Sequence, residues 1–263
     1  MTLSVHVDTY SRGGCALLQN IKLQLAVGQF SVILGPNGAG KSTLLQLLSG
    51  QETLQRGEVA LSGVSVRTMH PLLRARQLAM LTQDHPLSFP FTVAEVVKMG
   101  AHPLGLSDQA ADVRVSQLLE VMELSGLSER NYLTLSGGEK QRVQLARVLA
   151  QVGEESRVLL LDEPLAGMDL RHQHLCLAYL KTLASRQGLI VVAVLHDPVL
   201  AARYADQLVL LKAGNLQAQG PVQQLWHDAL LSTLYDLPLQ ARWQDGEPGL
   251  RHSVNNFFGA EPL

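Results

Sequence analysis

Apolar residues occur in short continuous runs that alternate with segments of helical periodicity. The run Phe30–Leu34 precedes a Leu-rich helical pattern that begins at Lys41. Val158–Leu161 precedes a second pattern near Asp169, and Ile190–Leu195 precedes a third. Continuous apolar runs are typical of buried strands, and their alternation with helices favours parallel strands joined by crossover helices. The sequence therefore predicts an α/β fold with a mainly parallel sheet and helices on its faces.

The strand signal disappears between residues 84 and 152, where prolines punctuate a stretch of helical patterns. We therefore predict a helical subdomain at 84–152, inserted into an α/β core formed by residues 1–83 and 153–240. Residues 241–263 form a C-terminal tail in this division. From Gln244 onward the tail is polar and interrupted by Gly and Pro, which predicts loose order.

Two helix starts in the predicted insert have the form hydroxyl-x-x-Glu. One is Thr92 to Glu95, and the other is Ser136 to Glu139. In such a capping box the hydroxyl accepts a backbone N–H from the third helical residue, whose side chain accepts one in return. Each motif therefore predicts the first turn of a helix.

Composition narrows the class of protein. The chain has 263 residues, 46% of them hydrophobic and 17% charged, and a net charge of -2, which is typical of a globular protein and does not indicate nucleic acid as a partner. Cys15 and Cys176 are far apart and lack metal-ligand spacing, which favours a reducing cytoplasm over a disulfide scaffold or zinc site. The amino terminus lacks a leader pattern, and apolar runs such as Leu189–Leu195 are too short to cross a bilayer. If a membrane is involved, another chain is expected to span it.

The strongest chemical signal is a P-loop pattern between an apolar strand and a Leu-rich helix. It consists of Gly35, Pro36, Asn37, Gly38, Ala39, Gly40, Lys41, Ser42 and Thr43. Glycines let backbone N–H groups close around phosphate oxygens, and the positive end of the following helix favours the anion. Lys41 is expected to contact the β and γ phosphates, and Ser42 is expected to bind Mg²⁺. A Gly-rich turn that contains Lys-Ser by chance is the alternative, at about one chain in a hundred of this length.

A second signal is the apolar strand Val158–Leu161 followed by Asp162, Glu163 and Pro164, the form of a Walker B segment. Carboxylates at the carboxyl end of a buried parallel strand lie where open α/β sheets bind ligands. Asp162 is expected in the Mg²⁺ shell, and Glu163 beside the attacking water as general base or polariser. Two acids at a strand edge could also be merely solvated, but the P-loop in the same chain argues against this alternative.

Between these motifs lies Leu135, followed by Ser136, Gly137, Gly138 and Glu139. A capped helix start with two glycines favours close approach of an anion, and the same residues could also form a capped helix that binds nothing. The segment resembles the signature of ABC ATPases, and its position between the P-loop and the Walker B strand is the one found in that family. P-loop kinases and GTPases do not place such a segment there.

This resemblance covers nearly all of Leu3 to Arg242. It implies an α/β P-loop ATPase core with a mainly parallel sheet, an N-terminal antiparallel β portion and an inserted α-helical subdomain. It also implies ATP and Mg²⁺ as cofactors and ATP hydrolysis as the reaction. In that family the signature of one copy completes the nucleotide site of the other, so a head-to-tail homodimer is expected.

Four further residues match motifs of the family in order. Gln83 resembles the Q-loop glutamine, which senses Mg²⁺ and water. Asp169 occupies the place of the D-loop aspartate, although Leu-Ala-Gly-Met precedes it where many relatives have Ser-Ala-Leu. His196 matches the H-loop histidine, which contacts the γ-phosphate and helps to orient Glu163 and water. Tyr10 is the candidate for the aromatic residue that stacks on adenine.

The resemblance also implies partners and a location. The segment Gln83 to Phe91 lies where the family docks a short helix of a transmembrane permease, and a periplasmic substrate-binding protein would act indirectly. A loop folded onto the subdomain's own core is the alternative for this segment. The chain is expected at the cytoplasmic face of the bacterial inner membrane.

Three segments and a short insert before the Walker B strand resemble the ATPases of bacterial haemin importers. They are Phe89–Gly100, Gln141–Gln151, Asp169–His174 and the insert Gly153–Arg157. A siderophore or vitamin B12 importer and a soluble ABC ATPase outside transport are the alternatives. His172 and His174 are two residues apart and do not share a helical face, so we expect exposed surface residues rather than haem ligands.

Overall fold

The computed structural model describes residues 1–83 and 87–252. Its strands are β1 (Thr2–Arg12), β2 (Cys15–Ala26), β3 (Phe30–Leu34), β4 (Arg56–Leu61), β5 (Val64–Ser65), β6 (Leu78–Leu81), β7 (Val158–Asp162), β8 (Ile190–Val194), β9 (Gln207–Lys212), β10 (Asn215–Pro221), β11 (Leu239–Gln244) and β12 (Glu247–His252). Its α-helices are α1 (Lys41–Leu48), α2 (Pro71–Gln77), α3 (Val93–Ala101), α4 (Asp108–Val121), α5 (Gly137–Ala150), α6 (Leu170–Gln187), α7 (Pro198–Tyr204), α8 (Val222–Leu225) and α9 (Asp228–Tyr235). No helix in these two ranges combines the length and the apolar character needed to cross a bilayer.

Ten strands form one sheet in the order β5-β4-β1-β2-β10-β9-β3-β8-β7-β6. The strands from β9 to β6 in this order pair in parallel. The N-terminal strands β1, β2, β4 and β5 pair antiparallel with one another. Every residue of β3, β7 and β8 is buried, as is usual for parallel strands covered on both faces. The predicted mainly parallel sheet with an antiparallel N-terminal portion is confirmed.

Two apolar clusters cover opposite faces of this sheet. Because successive residues of a strand point to opposite faces, Val32 and Ile33 of β3 belong to different clusters. The cluster of Val32 includes Val143 of α5 and Leu180 of α6. The cluster of Ile33 includes Leu44 of α1. The sheet is therefore held between the P-loop helix on one side and the helices of the insert and α6 on the other.

The described part of the predicted insert, residues 87–152, contains α3, α4 and α5. Both predicted capping boxes are present. Glu95 N donates to Thr92 Oγ1 at 3.2 Å, and Thr92 N donates to Glu95 Oε2 at 2.7 Å. Glu139 N donates to Ser136 Oγ at 3.3 Å, and Ser136 N donates to Glu139 Oε2 at 2.8 Å. The two helices therefore begin where the sequence predicts.

The C-terminal tail differs from its prediction. Residues 239–252 form a hairpin whose two-residue turn is Asp245-Gly246, with both residues at positive φ. Leu239 and Leu250 pack against the main apolar cluster, and Arg203 of α7 pairs with Glu247 at 2.5 Å. The expected loose order of the tail is therefore wrong up to residue 252, and the expected boundary at 240 falls inside β11. The remaining tail residues, 253–263, lie outside the described residues.

Candidate active site

The P-loop joins β3 to α1 and packs against neighbouring strands through two glycines. A Cβ on Gly35 would lie 2.0 Å from the carbonyl oxygen of Leu211 in β9. A Cβ on Gly40, which has φ +94°, would lie 2.6 Å from Cδ2 of Leu18 in β2. Only glycine therefore fits at either position. The other predicted loop residues, which connect and follow these glycines, are Pro36, Asn37, Gly38, Ala39 and Thr43.

Lys41 is held inside this loop. Its Nζ donates to the carbonyl oxygens of Gly35 and Pro36, each at 2.9 Å, and the residue is only 6% exposed. Burial lowers the pKa of the Lys41 ammonium, while the nearby Glu163 and Asp162 carboxylates act in the opposite direction. A partly desolvated ammonium held by neutral carbonyl oxygens is suited to a phosphate ligand.

Asp162, the last residue of β7, lies against the start of α1. Ser42 Oγ donates to Asp162 Oδ1 at 3.1 Å, and Asp162 is 2% exposed. Burial raises the pKa of Asp162, and the hydrogen bond from Ser42 opposes this effect. A hydroxyl and a carboxylate are oxygen ligands of the kind that Mg²⁺ prefers. Within 1–83 and 87–252 no group of three or more His, Cys, Asp or Glu residues is arranged to hold a metal ion.

Glu163 is paired with His196 at the ends of adjacent strands. β7 and β8 are parallel with Asp162 opposite Val194, so both residues emerge from the same edge of the sheet. Glu163 Oε1 lies 2.6 Å from His196 Nε2. Glu163 also has φ +49°, a left-handed conformation that is uncommon for a residue with a side chain. Such backbone strain is concentrated at functional sites.

The Glu163–His196 pair borders a cavity of about 240 Å³, which is also lined by Leu165, Gly167 and Gln173. Gln83 approaches the same edge from β6. Leu81 pairs in register with Leu161, and Gln83 follows Leu81 by two residues, as Glu163 follows Leu161. The Gln83 side chain is exposed. The residues that follow it, 84–86, lie outside the described residues.

The signature residues lie at the start of α5, together with the loop that ends in Asp169. Ser136 and Gly137 are exposed at the helix start. The hydrogen bond with the Ser136 backbone lowers the pKa of Glu139, which is consistent with a carboxylate held in its capping box. A Cβ on Gly138 would lie 2.5 Å from the carbonyl oxygen of Gly167. The structure thus forms two groups of predicted site residues, one around Lys41 and Glu163 and one around Ser136 and Asp169.

Comparison with known proteins identifies the family. A family model described as ABC transporter matches residues 18–166. The hemin import ATP-binding protein HmuV of Rhodopseudomonas palustris (strain BisA53) is 43% identical over 94% of this chain and 92% of its own length. HmuV of Shewanella denitrificans is 42% identical over 90% of this chain and 94% of its own. The chain belongs to the ABC transporter family.

Solved structures agree with this assignment. A metal-chelate type ABC transporter in an inward-facing conformation matches with a TM-score of 0.77 and 26% identity, over 96% of both chains. The dimeric ATP-binding cassette MJ0796, in a post-hydrolysis state with ADP and phosphate, matches with a TM-score of 0.73 and 27% identity. That match covers 84% of this chain and 98% of MJ0796. The fold is therefore that of an ABC ATPase.

In this ABC ATPase Tyr10 does not occupy the environment expected of an adenine-stacking residue. Tyr10 is 3% exposed, and its hydroxyl donates to Glu52 Oε2 at 2.7 Å. In a regular strand the side chain of Tyr10 would point to the face opposite to that of the buried Val5 and Val7. However, the pairing of β1 shifts register after Val7 and again after Tyr10. Such bulges change which face a side chain occupies. The structure therefore contradicts the expectation that the Tyr10 ring is available to a base.

The expected exposure of His172 and His174 is also wrong. His172 lies between two carboxylates, with Nδ1 2.7 Å from Asp169 Oδ2 and Nε2 3.3 Å from Glu123 Oε2. His174 Nδ1 lies 2.7 Å from the hydroxyl of Tyr204. Both side chains are thus partly buried and hydrogen-bonded within the protein. Helical periodicity predicted that His172 and His174 lie on different faces of the helix, but it did not reveal their partners Asp169, Glu123 and Tyr204.

Gln141 is a supporting residue that the sequence patterns did not single out. It lies in the first turns of α5, and its Nε2 donates to the backbone carbonyl oxygen of Glu163 at 3.1 Å. This contact joins the signature helix to the strained residue of the Walker B segment. Only its position five residues after Ser136 in the signature helix could have pointed to it.

Proposed function

We propose that this chain is the ATP-hydrolysing subunit of a bacterial ABC importer whose cargo is haemin. The observation that carries the proposal is the Glu163–His196 pair at 2.6 Å, next to a P-loop whose Lys41 and Ser42 face the buried Asp162. This arrangement supplies a cation for phosphates, oxygen ligands for a metal and a base for water at one edge of the sheet.

Each of these residues has a separate role in ATP hydrolysis. Lys41 and the P-loop backbone bind the phosphates, and Ser42, Asp162 and Gln83 are the residues that would hold Mg²⁺. When bound, the ion neutralises charge on the β and γ phosphates. Glu163 accepts a proton from water while the water oxygen bonds to the γ-phosphorus and the bond to the ADP oxygen breaks.

His196 orients the base in this proposal. Its Nε2 is within hydrogen-bond distance of one Glu163 oxygen, which leaves the other oxygen free to accept from water. The left-handed backbone of Glu163 and the hydrogen bond from Gln141 fix the position from which the carboxylate projects. Catalysis then depends mainly on positioning and on electrostatic stabilisation, as in other phosphoryl-transfer sites.

A second copy of the chain completes the site. Ser136 and Gly137 are exposed at a capped helix start that also contains Gly138 and has the polarity needed to bind an anion, and Glu139 and Asp169 hold this region in shape. The dimeric MJ0796 structure with ADP and phosphate supports the same assembly for this chain. Each copy would thus bind ATP at its own P-loop and contact the partner's nucleotide through its signature.

The partner in the membrane is a permease that docks beside Gln83 to Phe91. Phe89 is 68% exposed and lies against Phe91, with ring centroids 6.1 Å apart. Phe91, Met99 and Leu106 line an adjacent groove of about 580 Å³ with a mostly apolar surface. An exposed apolar surface of this kind suits an amphipathic helix. Residues 84–86 of the expected docking segment lie outside the described residues.

The same comparison supports a proposal for the cargo. Two relatives named hemin import ATP-binding protein are 43% and 42% identical over 94% and 90% of this chain, which supports haemin as the cargo. A siderophore or cobalamin importer is the second candidate, and the metal-chelate type transporter among the solved structures supports it. In either case the chain acts at the cytoplasmic face of the inner membrane, and a periplasmic binding protein delivers the cargo.

Reconstitution tests this function. The chain would be assembled with its permease in proteoliposomes containing the periplasmic binding protein, and ATP hydrolysis would be measured with haemin, a ferric siderophore or cobalamin. We expect stimulation by haemin, and none with the Lys41→Ala variant, which lacks the phosphate-binding ammonium. Stimulation by one of the other cargoes alone would exclude haemin. Hydrolysis that the permease does not affect would favour a soluble ABC ATPase.

A further inference from the structure

The D-loop aspartate, Asp169, is connected to the helical subdomain by a series of side-chain contacts. Asp169 Oδ1 accepts the backbone N–H of His172 at 2.9 Å and thereby caps α6. Asp169 Oδ2 lies 2.7 Å from Nδ1 of the same residue. On the other side of the ring, His172 Nε2 lies 3.3 Å from Glu123 Oε2. One histidine thus contacts two carboxylates from different parts of the fold.

Glu123 is fixed at the end of the second helix of the insert. It follows α4 with φ +53°, and its carbonyl oxygen accepts from Arg142 Nη1 at 3.1 Å. Arg142 belongs to the signature helix and is buried. The Glu123 carboxylate also accepts hydrogen bonds from both terminal nitrogens of Arg171. The Glu123 backbone is therefore tied to the helical subdomain, while Arg171 of α6 holds its carboxylate and Asp169 lies in the loop after the Walker B strand.

Hydrogen bonds stabilise the charged form of both carboxylates. Hydrogen bonds from Arg171 lower the pKa of Glu123, and the backbone hydrogen bond from His172 lowers the pKa of Asp169. Two negative groups require a donor between them. The neutral imidazole has one N–H for this purpose and the protonated ring has two, and the His172 side chain is only 16% exposed. Arg142 contributes a further positive charge near Asp169.

We propose that His172 is a positioning residue that sets the Asp169 carboxylate and makes its position depend on that of the helical subdomain. The proposal rests on the proposed function, because Asp169 acts across the dimer seam. Movement of the subdomain away from the core withdraws Glu123 from His172, and the Asp169 Oδ2 contact is then no longer held from both sides. The position of the helical subdomain and the position of the Asp169 carboxylate are thereby linked within one copy.

Helix capping alone does not account for this arrangement. The cap of α6 uses Asp169 Oδ1 and the backbone N–H of His172, which any residue at this position would supply. The imidazole ring adds the contacts to Asp169 Oδ2 and to Glu123. Replacing the ring therefore separates positioning from capping, since the backbone hydrogen bond remains.

The test uses MgATP-dependent dimerisation of the full chain with its permease, in a Glu163→Gln background that slows hydrolysis. His172→Ala is compared with His174→Ala, a matched control on the same helix whose ring contacts Tyr204. We expect dimerisation to weaken about fivefold with His172→Ala only. The affinity of the isolated chain for MgATP is expected to stay within about twofold for both variants, because neither side chain faces its own P-loop. Equal dimerisation of the two variants would overturn the proposal.

A double-mutant cycle with Glu123→Gln tests whether His172 acts through Glu123. If it does, the combined variant weakens dimerisation no more than His172→Ala alone, whereas additive losses would reject the link. Loss of MgATP binding by the isolated His172→Ala chain would also reject it, because the effect would then lie in the chain's own site. If the Glu163→Gln parent does not dimerise with MgATP and permease, the proposed function itself fails.

Discussion

The two groups of site residues are built in different ways. Around the P-loop and the Walker B segment, charged groups are buried: Asp162 ends the buried strand β7, and Lys41 begins the helix that follows the buried strand β3. At the signature, the functional groups are exposed at the start of a helix and are held by a capping box that starts at Ser136. The contacts of the first group all lie within one copy, whereas Ser136 and Gly137 of the second group are exposed on its surface. Substitutions in the first should therefore affect chemistry, and those in the second should affect assembly.

The largest effect is expected from Glu163→Gln, which keeps the shape of the side chain and removes the base. Turnover should fall about a hundredfold or more, the usual scale for losing a general base, while MgATP binding and dimer formation persist. Steady-state ATP hydrolysis and size-exclusion chromatography with MgATP would measure both properties. Near-normal hydrolysis would remove Glu163 from the role of base.

An intermediate effect is expected from Gln141→Ala, which removes the hydrogen bond to the Glu163 carbonyl. Turnover should fall about fivefold to tenfold with little change in KM for ATP, because the lost hydrogen bond is made to the backbone of the base and is one of several features that position it.

Gln151→Ala is the matched control for this prediction. Gln151 follows the same helix, and its Nε2 donates to the carbonyl oxygens of Ala75 and Leu78, away from Glu163. Its loss should lower stability without changing turnover per folded molecule. Equal turnover for the two alanine variants would mean that Gln141 does not position the base.

The smallest effects are expected from substitutions in the two capping boxes. Ser136→Ala and Thr92→Ala should each lower the free energy of unfolding by about 1 kcal/mol, since each removes one N-cap hydrogen bond. Only Ser136→Ala should also weaken MgATP-dependent dimerisation. Denaturant unfolding and dimer affinity, measured side by side, would separate the contributions. A similar loss of dimer affinity for Thr92→Ala would show that the signature effect is one of helix stability alone.

Much of the arrangement around Lys41 and Glu163 could be predicted from sequence because it depends on local order along the chain. The apolar run before Asp162 and the glycines before Lys41 specify strand ends and a phosphate-binding loop without reference to distant residues. The parallel pairing of β7 and β8 brings His196 to Glu163, a proximity that the resemblance to the family implied and that the strand-end position alone did not predict.

Other features depend on contacts that no local pattern specifies. Bulges in β1 turn Tyr10 into the core, and a bulge leaves no periodic signal of its own. His172 and Glu123 meet only after α4 and α6 are packed together. The C-terminal hairpin is different, because Asp245-Gly246 between short strands is a recognisable turn signal that the polar composition of the tail obscured.

The C-terminal hairpin also matters to anyone who shortens or tags this protein. It packs through Leu239 and Leu250 against the main cluster, and its backbone accepts the indole N–H of Trp226 at Arg242. Its Glu247 pairs with Arg203 on α7, the helix that starts two residues after His196. Cutting the chain at residue 240 would leave that helix without its ionic contact, so fusion partners are best attached beyond residue 252.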